Sequence, residues 1–288
     1  MFSGTYTAIV TPFDRNGQVD YARFKDLIED QIASGIDGIV PVGSTGESST
    51  LDYDEHRAVI RAAVEKANRR VKVIAGTGGN STSEALQLTR WAIEDGADAT
   101  LQVTPYYNRP SQEGLFRHFS AVADLGLPVV LYNVPSRTGR EIAVETVVRL
   151  SQHPKIAALK ESGGNVDRAS AVISQCAIDV LSGDDSMTLP MMVVGARGVV
   201  SVASNVAPKQ VANLVRLALA GKWDEARREH LRLFRLFTDL FIETNPVPIK
   251  AALAMAGRIE EAYRLPLCPM SDALKAKLRE TLRATGVL

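Results

Sequence analysis

The sequence predicts an α/β protein built as a closed barrel of eight parallel strands, with an all-helical extension at its C-terminal end. Three observations carry this expectation. Eight short runs rich in Val, Ile and Leu recur along the chain, segments of helical period separate them, and only helical patterns follow Gly221. Strands buried on both faces read as nearly continuous apolar runs, and their alternation with helices every ~20–35 residues is the signature of a (β/α)8, or TIM, barrel. An open doubly wound sheet is the competing architecture. It usually shows GxGxxG after its first strand, where this chain has the turn-like TPFDRNG.

The predicted strands are TAIVTPF (7–13), GIVPVG (38–43), VKVIAGTG (71–78), ATLQVTP (99–105), PVVLYNVP (128–135), IAALKES (156–162), IDVLSGDD (178–185) and GVVSVAS (198–204). Between the first of them, Asp20–Ser34 places Phe24, Leu27, Ile28 and Ile32 on one stripe, and Glu55–Asn68 and Ser83–Glu94 repeat the pattern. Asp52 predicts a cap for the second helix, and Ser81 with Glu84 a capping box for the third. Gly35, Gly96 and Gly221 stand where helices should stop. Trp223–Glu243, Pro246–Met255 and Asp272–Ala284 are predicted as helices, so the barrel occupies residues 1–222 and a helical appendage residues 223–288. A length of 288 residues suits one barrel with an appendage.

Composition excludes several classes of function. The 33 Lys and Arg balance 33 Asp and Glu, and a neutral chain lacks the basic surplus that nucleic acid or an anionic membrane surface demands. Cys176 and Cys268 form no CxxC or Cys/His spacing, which suits structural thiols in a reducing cytosol. The N-terminus lacks a basic region and a cleavage site, and no apolar run reaches the ~18 residues of a membrane helix. A soluble, cytoplasmic protein is the expectation.

Active sites of such barrels lie at the carboxyl ends of the strands. The residues there are Thr11; Ser44, Thr45 and Glu47; Thr77; Thr104, Tyr106 and Tyr107; Tyr132, Asn133 and Arg137; Lys160 and Glu161; Asp184 and Asp185; Ser201 and Ser204. No histidine is among them, because His56, His118, His153 and His230 all fall in helices or helix ends. A metal cage or a Ser/His acyl-transfer site is therefore not expected, and neither is any cofactor. SGDD and SVASN replace the usual phosphate cradle after the seventh and eighth strands, and two carboxylates there argue against a phosphorylated substrate.

Lys160 ends a buried run, so its stem emerges into the barrel mouth; the competing reading is an ion pair with Glu161 or an Asp. Lys72 begins a strand at the opposite face, and Lys250 in NPVPIK reads as helical and structural. A lysine at the mouth with no metal or phosphate clamp suggests Schiff-base chemistry. Its amine attacks a keto carbonyl only when neutral, which demands a fall of ~3 units from an ordinary pKa near 10.4. Tyr132, one strand away, could shuttle the proton. The GSTGES turn (43–48) could cradle a carboxylate with its backbone N–H groups and the Ser44 and Thr45 hydroxyls, or be an ordinary loop. Arg137 could clamp a second carboxylate, or pair within its own loop.

GSTGES, VTPYYNRPSQEGL, LYNVPSRTG, LKES, LSGDD, GVVSVASN and NPVPIK, in that order over nearly the whole chain, resemble the dihydrodipicolinate synthase (4-hydroxy-tetrahydrodipicolinate synthase) family. These are pyruvate-dependent class I aldolases and lyases. The resemblance implies condensation of pyruvate with L-aspartate 4-semialdehyde, the first committed step of diaminopimelate and lysine biosynthesis. It implies that Lys160 forms the imine, that Tyr132 is the acid/base, and that Ser44 and Tyr107 complete a hydroxyl relay, Tyr107 from a neighbouring subunit of a homotetrameric dimer of dimers. Thr45 would hold the pyruvate carboxylate, Arg137 that of the semialdehyde, and Gly183 and Val200 would line the site with their carbonyls. Ser44 departs from the commoner threonine: the hydroxyl survives, but χ1 is freer. N-acetylneuraminate lyase and keto-deoxy sugar acid aldolases or dehydratases are the rivals, and Arg137 favours a short substrate ending in a carboxylate. Ser48, Ser49, His56, Asn80, Glu84 and Tyr106 match positions at which sensitive relatives bind L-lysine as a feedback inhibitor. Tyr53 stands where those relatives often carry histidine.

Overall fold

A computed structural model describes residues 1–288. Eight parallel strands close into a barrel in sequence order. The elements are β1 (Gly4–Ala8), α1 (Tyr21–Ala33), β2 (Gly38–Val40), α2 (Tyr53–Ala67), β3 (Lys72–Gly76), α3 (Thr82–Glu94), β4 (Ala99–Val103), α4 (Gln112–Ala123), β5 (Val129–Asn133), α5 (Pro135–Thr138), α6 (Val144–Leu150), β6 (Ile156–Glu161), α7 (Val166–Gln175), β7 (Asp179–Ser182), α8 (Thr188–Val193), β8 (Gly198–Ser201) and α9 (Pro208–Leu219). The extension adds α10 (Trp223–Asp239), α11 (Val247–Met255) and α12 (Asp272–Ala284). No helix is long and apolar enough to cross a membrane.

Alternation along each strand divides the apolar residues into two cores. Tyr6, Val40, Ile74, Leu101, Val130, Ala158, Leu181 and Val200 fill the barrel interior. Their outward neighbours join the helices in a second cluster that continues through Leu233 and Leu236 of α10, Leu253 of α11 and Leu278 of α12. The extension therefore packs into the layer that covers the strands. Asp52 and Glu55 form the capping box that starts α2, and Gly35, Gly96 and Gly221 take positive φ at helix ends.

Two details differ from the sequence reading. β1 occupies Gly4–Ala8 rather than 7–13, because Gly4 to Thr7 pair with β8 while Ile9 to Phe13 leave the sheet as a buried, irregular segment. Ser81 caps nothing, since its hydroxyl is taken by that of Ser83, and Glu84 is left to face Tyr53.

Closure is made at Gly4 opposite Gly198, with φ of 100° and 151°. A Cβ on Gly198 would fall on the Gly4 carbonyl oxygen. Gly198→Ala should therefore destabilise by about 3 kcal/mol or more, combining backbone strain with a clash that rigid strands cannot relieve. Gly17→Ala, also at positive φ but with no atom within 4 Å of the new methyl, should cost about 1 kcal/mol. Urea unfolding of the two variants measures the difference.

Candidate active site

The mouth at the carboxyl ends of the strands brings together most of the residues singled out above. Tyr132 and Lys160 are register partners on β5 and β6, so their side chains enter the barrel at the same level. Both are buried, and Lys160 Nζ stands 4.0 Å from the centroid of the Tyr132 ring. Gly183, just past β7, makes room for this lysine: a Cβ there would lie 3.0 Å from Lys160 Cε and on top of the Ser162 hydroxyl. Val200 is a buried β8 residue in register with Tyr6.

The alternative of a Lys160–Glu161 ion pair does not hold. Glu161 points to the helix side of the sheet, where its carboxylate meets Arg168 Nε at 2.9 Å and accepts hydrogen bonds from Asn133 Nδ2 and the Gly163 amide. Asp185 is likewise committed. It accepts from Ser201 Oγ at 2.5 Å and from the amides of Val202 and Ala203, stapling the β7 loop to the turn after β8. Burial pushes its carboxyl up, against those hydrogen bonds. Asp184 has no such ties, and burial raises it to about 6 against the pull of the Lys160 ammonium, with Asp185 and Glu161 adding to the rise.

Residues 43–48 fold into a tight turn in which Gly46 N donates to Gly43 O, Glu47 N to Ser44 O and Thr11 Oγ1 to Gly46 O. The amides of Ser44 and Thr45 donate to no protein acceptor. Thr45 is buried, and its hydroxyl accepts from Asn245 Nδ2 at 2.9 Å. Arg137, on the single turn α5, donates from Nη2 to the Asn245 carbonyl at 2.9 Å. A cavity of about 310 Å³ joins Ser44, Arg137, Asn245 and Tyr106, and a narrower space of about 30 Å³ runs on from Ser44 to Tyr132. A larger hollow of about 740 Å³ lies at the opposite face, among Asp37, Lys72 and Asp98 where strands begin, far from this chemistry.

A mouth with a buried lysine, a tyrosine in register with it and an unsatisfied pair of amides invites comparison with known proteins. The profile of the dihydrodipicolinate synthetase family matches residues 1–285. A 4-hydroxy-tetrahydrodipicolinate synthase of Geobacter sulfurreducens is 53% identical over 286 residues, 98% of either chain. The chain belongs to the dihydrodipicolinate synthetase family. Among solved structures, the enzyme of that name from Methylacidiphilum fumariolicum SolV superposes with a TM-score of 0.98 at 54% identity, covering 99% of this chain and 96% of the other. A dihydrodipicolinate synthase from Acinetobacter baumannii complexed with pyruvate gives 0.98 at 42% identity, with full coverage of both chains. One from Cyanidioschyzon merolae with lysine bound gives 0.97 at 39%, covering 100% and 99%.

Tyr107 stands apart from the other family positions. It is 92% exposed at a φ of 69°, and it does not enter its own barrel. Ser48, Ser49 and Tyr106 line the outer part of the 310 Å³ cavity, and Glu84 gathers with Tyr53 and Tyr106 beside it. His56 is buried, its Nε2 2.7 Å from the Gly76 carbonyl at the end of β3, and burial holds its pKa below the usual histidine range. A histidine thus does reach a strand end, by way of its side chain from α2. The Asn80 carbonyl accepts from Asn108 Nδ2. Asn245 and Asp185 were not singled out in the sequence for these contacts. Both act on partners distant in the chain, and the local signals were the NPVPIK motif that contains Asn245 and the strand-end LSGDD that contains Asp185.

Asp184 gives the site a measurable pH signature. Its folded value of about 6 lies above an unfolded carboxyl near 4, so the native state holds the extra proton between those limits. The contribution of this group to stability therefore falls as pH rises from about 4 to about 6, by on the order of 2–3 kcal/mol. Asp184→Asn should remove that slope, visible in the difference between parent and variant in denaturant unfolding from pH 4 to 7.

Proposed function

We propose that the chain catalyses the reaction for which its relatives are named, condensing pyruvate with L-aspartate 4-semialdehyde through an imine on Lys160. The observation that carries the reading is the buried Lys160–Tyr132 pair, in register and 4.0 Å from nitrogen to ring centroid, beside a turn whose Ser44 and Thr45 amides lack acceptors. Those amides and the Thr45 hydroxyl receive the pyruvate carboxylate. The neutral Lys160 amine adds to the keto carbon, water leaves, and the resulting iminium draws electrons from the methyl carbon, which loses a proton to give an enamine. The enamine carbon attacks the aldehyde carbon of the second substrate, whose carboxylate Arg137 holds by its planar fork. Ring closure by that substrate's own amine displaces Lys160. Tyr132 and Ser44 move the protons, and the Gly183 and Val200 carbonyls line the pocket. No cofactor is needed, because the lysine nitrogen is itself the electron sink.

The exposed Tyr107 supports a working form in which it completes the relay of a neighbouring copy, within a dimer of dimers. The gathering of Glu84 with Tyr53 and Tyr106 supports an effector site at the same rim for L-lysine, with Glu84 meeting its ammonium group.

Borohydride added with pyruvate should leave a reduced adduct on Lys160, located by peptide mass, and Lys160→Ala should abolish both adduct and turnover. Tyr132→Phe should lower kcat by about 10²–10⁴ while still folding. For the shared site, Tyr107→Phe should reduce kcat without lowering the melting temperature. Specific activity should also fall as the parent is diluted into a monomeric range followed by sedimentation. Millimolar L-lysine should slow the parent and leave Glu84→Ala unaffected; an equal response from both would remove Glu84 from the effector site.

A further inference from the structure

Glu47 and Lys250 form the one ion pair in the molecule whose side chains are both 0% exposed, and no step above uses either. Lys250 comes from the middle of α11 and Glu47 from the end of the Ser44–Thr45 turn, 203 residues earlier in the chain. Their closest atoms, Nζ and Oε1, are 2.5 Å apart. The lysine ammonium also lies 4.2 Å from the Phe13 ring centroid and 5.4 Å from that of Tyr263, so aromatic rings and the Glu47 carboxylate surround it. Because the Glu47 carboxylate is spent on this contact, it is not free to touch a substrate.

The turn that Glu47 closes is strained at both ends. Val42 has a φ of 57° and Glu47 a φ of 54°. A left-handed β-branched residue is a genuine outlier, and each such residue costs of order 1–3 kcal/mol, so the conformation persists only where its surroundings over-determine it. The turn's own hydrogen bonds, the Thr11 hydroxyl on Gly46 O and the Arg264 amide on Glu47 Oε2 supply part of that constraint, and two further contacts come from one stretch of the helical extension. Lys250 holds Glu47 at one end, and Asn245, five residues earlier in the chain, donates to Thr45 in the middle while its carbonyl receives Arg137.

We propose that Glu47, Lys250 and Asn245 are positioning residues: the buried pair and the amide lock the 42–47 turn in the form that presents the Ser44 and Thr45 amides to the keto acid's carboxylate. The inference rests on the function proposed above and deepens it. It also gives the helical extension a task at the mouth, since the segment leading into α11 spans the carboxylate cradle and Arg137 at once. A pair kept only for stability would be expendable, because well-packed apolar side chains of similar volume commonly replace a buried ion pair at no loss of stability. Such a replacement keeps the packing but removes the directional 2.5 Å contact that holds Glu47 left-handed.

The test uses the full chain with Glu47→Gln and Lys250→Met combined, which removes both charges at nearly constant volume, and separately Asn245→Ala. The double variant should melt within about 5 °C of the parent. Its KM for pyruvate should rise about tenfold while kcat at saturating pyruvate stays within about threefold, the pattern of a lost ground-state contact rather than lost chemistry. Asn245→Ala should move KM the same way by about threefold. Borohydride trapping should require correspondingly more pyruvate in both variants. A parental KM for pyruvate in either folded variant overturns the proposal, as does a fall in kcat with KM unchanged. If the double variant does not fold, Asn245→Ala decides alone. Failure of the underlying reading looks different, because the parent itself would then take no adduct from pyruvate and borohydride.

Discussion

A parallel sheet of eight strands becomes a barrel only if its last strand can lie against its first, and here that seam runs between two glycines. Gly4 and Gly198 face each other at the start of the β1–β8 ladder with left-handed backbones and no room for a Cβ. Gly38 plays a related part inside the wall, where a Cβ would meet the Tyr6 ring at 2.5 Å. Once the seam is closed, every strand delivers its carboxyl end to the same rim. Tyr132 and Lys160 then meet because β5 and β6 are neighbours in register, and Gly183 clears the volume that the lysine fills. Chemistry at the mouth thus depends on missing side chains as much as on those present.

The rim carries more acid than the reaction uses, and each carboxylate is handled differently. Glu161 is turned outward and paired with Arg168, Asp185 is consumed as a staple between two loops, and Glu47 is sealed against Lys250. Asp184, whose carboxylate has no hydrogen-bonded partner, is left with a raised carboxyl near the lysine. Burying a charge is tolerable only with a partner or a shifted protonation equilibrium, and all of these solutions occur within one mouth.

Strands were legible because a wall buried on both sides admits only apolar runs, and the place of Lys160 was legible because a lysine closing such a run is carried into the mouth; its competing reading as a partner of Glu161 fell only to the pairing of that carboxylate with Arg168. The start of β1 was not, since Ile9 to Phe13 are as apolar as any strand yet belong to a buried segment outside the ladder. Ser81 with Glu84 satisfied the capping pattern but found other partners, which spacing alone does not reveal. Gly183 and Val200 came into view only through likeness to a family, as did the role expected of Tyr107 among the strand-end residues, because a glycine beside a lysine or an exposed tyrosine carries no local mark of its task. Lys250 is helical and structural as its sequence reads, but its partner and that of Asn245 escaped for the opposite reason. Both partners lie some two hundred residues away, beyond any periodicity.

The Glu47–Lys250 contact has a thermal consequence. Hydration of charged groups becomes less favourable as temperature rises, so the cost of keeping a pair out of water shrinks on warming while the gain from apolar burial levels off. With both side chains fully buried, this contact is a part of the mouth whose balance improves with heat. The turn it closes is therefore held more firmly, relative to the exposed ion pairs and helix packing around it, as the molecule approaches the temperatures at which those looser elements give way.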